Sequence, residues 1–141
     1  MTTTVSETVR QRSAATWFGR VMWVGILANL ALALPTLFYP AQMIEMVRLP
    51  AVSPPMWVAF SGMLLILLSG FYVPAAIDPI RYWTNAWLAV AARLAGTAFF
   101  FLQGRQYWLL GAFDLVFLVP LAVLMVRLVS SSPPAPPRRV G

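Results

Sequence analysis

Cysteine and histidine are both missing from this chain, and so is lysine: all ten basic residues are arginine. Without thiols, the chain alone can form no disulfide, no thiol redox centre and no cysteine-ligated metal site. Without imidazole it offers no histidine-held haem and no imidazole proton relay. Acids are scarce too, only Glu7, Glu45, Asp78 and Asp114. Charged residues make up 10% of the chain, against about 25% in an ordinary soluble domain. No nucleophile–base pair, phosphate-binding loop or metal cluster can be read from what remains. No catalytic, cofactor-binding or metal-binding residue is therefore assigned, and the chain is expected not to be an enzyme.

What is abundant is apolar: 60% of the 141 residues are hydrophobic. Four apolar runs stand out, at about 17–39, 56–77, 82–102 and 107–128. Each is near the roughly 20 residues that a membrane-spanning helix needs. Helices are expected because open strands cannot satisfy their backbone groups in lipid. The predicted fold is thus an all-α four-helix transmembrane bundle. Aromatic pairs mark the run ends, among them Trp17 with Phe18, Phe38 with Tyr39, and Tyr107 with Trp108. Amphipathic rings gather in this way at the two membrane interfaces.

Polar segments flank the bundle. Residues 1–16 form a polar N-terminal tail, and the apolar run after them is too long for a signal peptide and lacks a small-residue cleavage site, so it is expected to stay as an anchor. Residues 129–141, rich in Pro, Ser and Arg, are expected to be disordered. Prolines punctuate the middle. Pro40 ends the first run, Pro50, Pro54 and Pro55 break the first loop, and Pro74 and Pro79 bracket the second connection. Pro35 and Pro120 lie inside spans. The stretch AQMIEMVRLP reads equally well as a short interfacial helix or a plain loop.

The formal charge of +6 would suggest nucleic acid in a soluble protein. Here the arginines flank apolar runs, so they point to topology and lipid headgroups instead. With an even number of spans, Arg10, Arg12, Arg20, Arg81, Arg127, Arg138 and Arg139 share one side, and Arg48 and Arg105 lie on the other. The positive-inside rule then puts both termini in the cytoplasm of a multi-pass protein, expected in a bacterial inner membrane. Arg20 and Arg127 are expected to snorkel to the interface.

Two charges break the pattern. Arg93 lies deep in the third run and Asp114 deep in the fourth. The short connection QGRQ makes these spans an antiparallel hairpin, so both charges lie roughly 12–16 Å from the turn at about 1.5 Å per residue. A charge alone in hydrocarbon costs a few kcal/mol or more. The two are therefore expected to pair, and the pair could be bidentate. Asn29, Asn85, Ser61, Ser69 and several glycines suggest a weakly polar bundle interior around them. Two readings stand. In the preferred one, Arg93 and Asp114 are a clamp that fixes helix register, since a neutralised arginine is a poor carrier of ions or protons. In the other, Arg93, Asp114, Asn29 and Asn85 line a site for a polar or anionic headgroup, or a quinone, with Arg93 as counter-ion. Asp78 and Arg81, in the sequence DPIR, read as an interfacial cap or turn.

The motifs A-R-L-x-G (Ala92, Arg93, Leu94, Gly96) and G-x-x-D-L (Gly111, Asp114, Leu115) resemble the DoxX-like group of small four-helix bacterial membrane proteins. That resemblance implies a four-helix bundle accompanying redox or sulfur-related enzymes, with no active-site residues to carry over. Proton-coupled four-helix drug exporters are similar in size, but they depend on a glutamate in the first span, where this chain has no acid. The expected role is a non-catalytic accessory or scaffold subunit of a larger, redox-related membrane complex. Its partners would be the bilayer and a membrane protein or a second copy, with no cofactor and no nucleic acid. The alternative is a binder or transporter of a lipid, a quinone or another hydrophobic small molecule.

Overall fold

A computed structural model describes the backbone of residues 2–130 and the side chains of residues 8–130. Within those residues all regular structure is helical: α1 (Thr2–Phe38), α2 (Pro40–Met46), α3 (Met56–Ile77), α4 (Trp83–Leu102) and α5 (Trp108–Ser130). A 3₁₀ turn, Arg105–Tyr107, leads into α5. Four segments are long and apolar enough to cross a membrane: Thr8–Phe38, Met56–Ile77, Trp83–Leu102 and Arg105–Ser130. Large apolar side chains such as Leu27, Leu64, Leu94 and Val116 stand exposed on their outer faces. Together these make the chain a multi-pass membrane protein.

The first helix differs from the expectation. Residues 2–16, expected as a separate polar tail, are helical and continuous with the first span. No proline or glycine precedes Gly19, so nothing breaks the helix. Once nucleated, a helix gains one hydrogen bond per added residue and runs on past the apolar stretch. Val129 and Ser130, expected in the disordered C-terminal tail, instead complete α5, and the rest of that tail lies outside the described residues. Pro74 also differs, since it sits inside α3 rather than at its edge.

The stretch after Pro40 is a helix. Proline at its first position has no N–H to lose, and its fixed φ suits a helix start. Met43 and Ile44 are buried, which holds α2 against the bundle. At its end, Arg48 takes the left-handed conformation, φ 56°. The Leu49 N–H then donates to Ile44 O and the Arg48 N–H to Glu45 O, each at 3.0 Å. This is a Schellman ending with arginine where glycine is usual.

The four long helices pack as a ring in the order α1, α3, α4, α5, with α1 and α4 on one diagonal and α3 and α5 on the other. The α1–α3 seam is the most extensive and is closed by two glycines. A Cβ on Gly19 would lie 2.6 Å from Ala76 O, and one on Gly62 would lie 2.9 Å from both Ala33 O and Leu37 N. In lipid, helices associate through such close backbone packing because hydrocarbon offers no hydrophobic drive between them. The buried core lies toward the end where α1 begins and α5 ends. There Phe18, Met22 and Ile26 meet Tyr72, Ala75, Ala86, Ala89, Leu121, Met125 and Leu128.

Candidate functional site

Near the middle of α4, Arg93 reaches across the ring. Its Nη1 donates to Asp114 Oδ1 of α5 at 2.6 Å. Its Nη2 donates to Asn29 Oδ1 of α1 at 2.8 Å, with a longer contact of 3.5 Å to Gly25 O. Asn29 Nδ2 in turn donates to Ser69 Oγ of α3 at 3.2 Å, and the Ser69 hydroxyl donates to Leu65 O at 2.8 Å. One connected set of polar groups thus joins all four spans. The backbones of α1 and α4 do not touch, so only a side chain as long as arginine can close that diagonal.

The surroundings explain why the cluster fits. Arg93 is 4% exposed, and its guanidinium lies 4.9 Å from the Phe117 ring, 5.6 Å from Phe113 and 5.9 Å from Tyr72. Ring faces of this kind attract a desolvated cation. Gly25 leaves room for the guanidinium, since a Cβ there would stand 3.3 Å from Arg93 Nη2. Gly96 makes room for the acid, because a Cβ there would collide with the Asp114 carboxylate.

Of the residues singled out from the sequence, Arg93, Asp114 and Asn29 come together. The Arg93–Asp114 contact has a single donor, not the two of a bidentate pair, because the second guanidinium nitrogen is turned across the diagonal to α1. Asn85 does not join them. It lies half-buried near the start of α4, where its Nδ2 donates to Phe71 O at 2.9 Å. Two turns of helix separate it from Arg93, too far for its short side chain to reach the cluster. Asp78 and Arg81 stand apart at the α3–α4 connection. Asp78 Oδ1 accepts the backbone N–H groups of Ile80 at 3.1 Å and Arg81 at 3.0 Å, the pattern of a turn stabilised by its own side chain. The Arg81 side chain lies over the Tyr82 ring.

The aromatic box of Tyr72, Phe113 and Phe117 is not evident from the sequence, and neither is the place of Thr97. The Thr97 hydroxyl is buried with no hydrogen-bond partner among the described residues. It sits four residues after Arg93 on the same helical face, and that spacing is the signal that could have found it.

On the side toward α2, the cluster forms the inner wall of a cavity of about 270 Å³. Asn29 and Asp114 contribute its polar inner end, while Leu32, Leu65, Phe100, Leu110 and Phe113 form apolar walls. Met43, Ile44 and Val47 of α2 and its ending, with Leu49, close over it. Thr36 and Ser61 also line it, but their hydroxyls donate to Leu32 O and Val58 O of their own helices. Arg93 does not line the cavity. It is therefore not placed to act as counter-ion to a molecule there; the group that faces the space is Asp114. Ligand sites commonly occupy about 300–1,000 Å³ and combine apolar walls with a few convergent polar groups. A second cleft, at the end that carries the termini, is lined by Arg10, Trp17 and Arg127.

Comparisons of the chain with protein families, with curated proteins and with solved structures find no match.

Proposed function

We propose that this is a non-catalytic integral membrane protein that binds an apolar small molecule in the cavity beneath α2. The observation that carries this reading is the cavity itself, with apolar walls and its one charged group, Asp114, at the inner end. The clamp and the binding readings then describe one arrangement. Arg93 ties the four spans together, and the same tie holds Asp114 at the cavity wall.

The accessory-subunit reading draws on the exposed aromatic and apolar faces, which a bilayer covers equally well. It stands second for that reason. The DoxX-like resemblance stays within the proposal and rests on the motifs A-R-L-x-G and G-x-x-D-L alone. We place both termini in the cytoplasm of a bacterial inner membrane, with α2 and the cavity toward the opposite face. Arg10, Arg12, Arg20, Arg81 and Arg127 at one end, against Arg48 and Arg105 at the other, support that orientation.

Native mass spectrometry of the protein released from mild detergent tests the function. The wild type is expected to carry one small-molecule adduct per chain. Leu65→Trp, which fills the cavity, is expected to lose it while remaining folded. A wild-type chain with no adduct and a stoichiometric protein partner would overturn the binding reading in favour of the accessory one.

A further inference from the structure

Resting on the cavity reading, we infer the chemistry of the occupant: a neutral, apolar molecule with a hydroxyl or N–H donor, received by the free oxygen of Asp114. The argument follows where each polar atom at the cavity's inner end is already committed. Asp114 Oδ1 accepts from Arg93. Oδ2 accepts no hydrogen bond from the described residues and lies against Gly96, and the Asp114 side chain, 17% exposed, lines the cavity. Asn29 is engaged at both ends, its oxygen by Arg93 and its nitrogen by Ser69. A carboxylate can hold several donors, and one with an empty acceptor position in a low-dielectric setting favours a molecule that brings a donor.

Charge narrows the choice. Arg93 neutralises Asp114, so a cationic ligand would add an unbalanced positive charge within the membrane. An anion would meet a carboxylate first, with the guanidinium behind it. A quinone offers only carbonyl acceptors and would set them against a carboxylate acceptor. A phenol, a hydroquinone or an alcohol of similar shape meets none of these objections. A site built to bond a ligand's donor rejects the analogue that lacks it far more strongly than an apolar wall rejects a missing methylene.

Three aromatic probes of one shape separate the possibilities: 2-naphthol, naphthalene and 2-naphthoate. Each is equilibrated by dialysis against the full chain in nanodiscs, with empty nanodiscs as the reference for partitioning. We expect 2-naphthol to be retained at about one per chain, at least about tenfold more tightly than naphthalene, as a hydrogen bond to a charged acceptor allows. Retention of 2-naphthoate should not exceed that of empty discs. In the double variant Arg93→Met/Asp114→Ala the preference for naphthol should vanish while naphthalene is still held. Equal retention of naphthol and naphthalene would mean that water serves Oδ2, which sinks the donor inference and leaves the cavity reading standing. Tighter retention of naphthoate would overturn the inference outright. If none of the probes is held, both the inference and the cavity reading fail. The wild-type series decides these outcomes even if the double variant is not recovered.

Discussion

Replacing Arg93 by methionine keeps most of the unbranched stem and removes the guanidinium. Three acceptors lose their donor: Asp114 Oδ1, Asn29 Oδ1 and the Gly25 carbonyl. Of these only Asp114 is charged. An aspartate left unpaired within a span costs about 2.5–3.5 kcal/mol on insertion scales. The losses at Asn29 and Gly25, and the change of packing around the shortened side chain, recur unchanged in the double variant Arg93→Met/Asp114→Ala. The comparison of single with double variant therefore isolates the stranded acid. Pairwise polar contacts between membrane helices contribute only about 0.6 kcal/mol on average, so the lost attraction itself is the smaller effect. We expect the double variant to be more stable than the single one by about 2–3 kcal/mol, or roughly 30- to 150-fold in the folded-to-unfolded ratio. Fluorescence-detected size exclusion gives the folded yield, and equilibrium unfolding in mixed micelles gives the free energy. If the double variant proves no more stable than Arg93→Met, the pair does not neutralise a buried charge and the clamp argument falls.

Further expectations concern packing and topology. Gly62→Ala and Gly19→Ala push a methyl into the backbone of the facing helix and should each destabilise the α1–α3 seam by about 1–3 kcal/mol; Gly70→Ala, with open space around it, should be neutral or stabilising. Thermal unfolding of the three variants side by side checks this, and a Gly70 effect as large as that of Gly62 would contradict it. Arg48→Gly relieves a left-handed arginine at the end of α2 and should slow amide exchange in α2 by about 1 kcal/mol of local stability. Asn85→Ala removes one bond to Phe71 O and should cost about 1 kcal/mol or less while leaving ligand retention unchanged, which the dialysis assay reads directly. A green fluorescent reporter fused to the C-terminus should fluoresce and an alkaline phosphatase reporter should be inactive; the reverse pattern would refute the orientation.

Much of the fold is legible in the sequence because hydrocarbon imposes simple rules. The apolar run at 56–77 is the helix Met56–Ile77, since apolar length and flanking prolines set both its ends. The apolar run that begins at residue 17 understates the first helix, because apolar character marks where lipid begins, not where hydrogen bonding stops. The site is legible in part. Arg93 and Asp114 lie at similar depths across a short hairpin, and that arithmetic alone is enough to suggest a pair. Asn85 falls elsewhere because helical periodicity assigns a face but not a height relative to another helix. It shares a stripe with the cluster yet bonds to α3 near the α3–α4 turn.

Composition and run length alone determined that this chain forms four helices long and apolar enough to cross a membrane and that two opposite charges within them must find partners. They did so because each apolar run and each buried charge answers to its own local cost. Only the tertiary structure decided that Arg93 spans the diagonal to Asn29, that Gly25 and Gly96 make room for the charges, and that the cavity faces Asp114 rather than Arg93. Those facts depend on how four helices are rotated and staggered against one another, and no single segment carries that information.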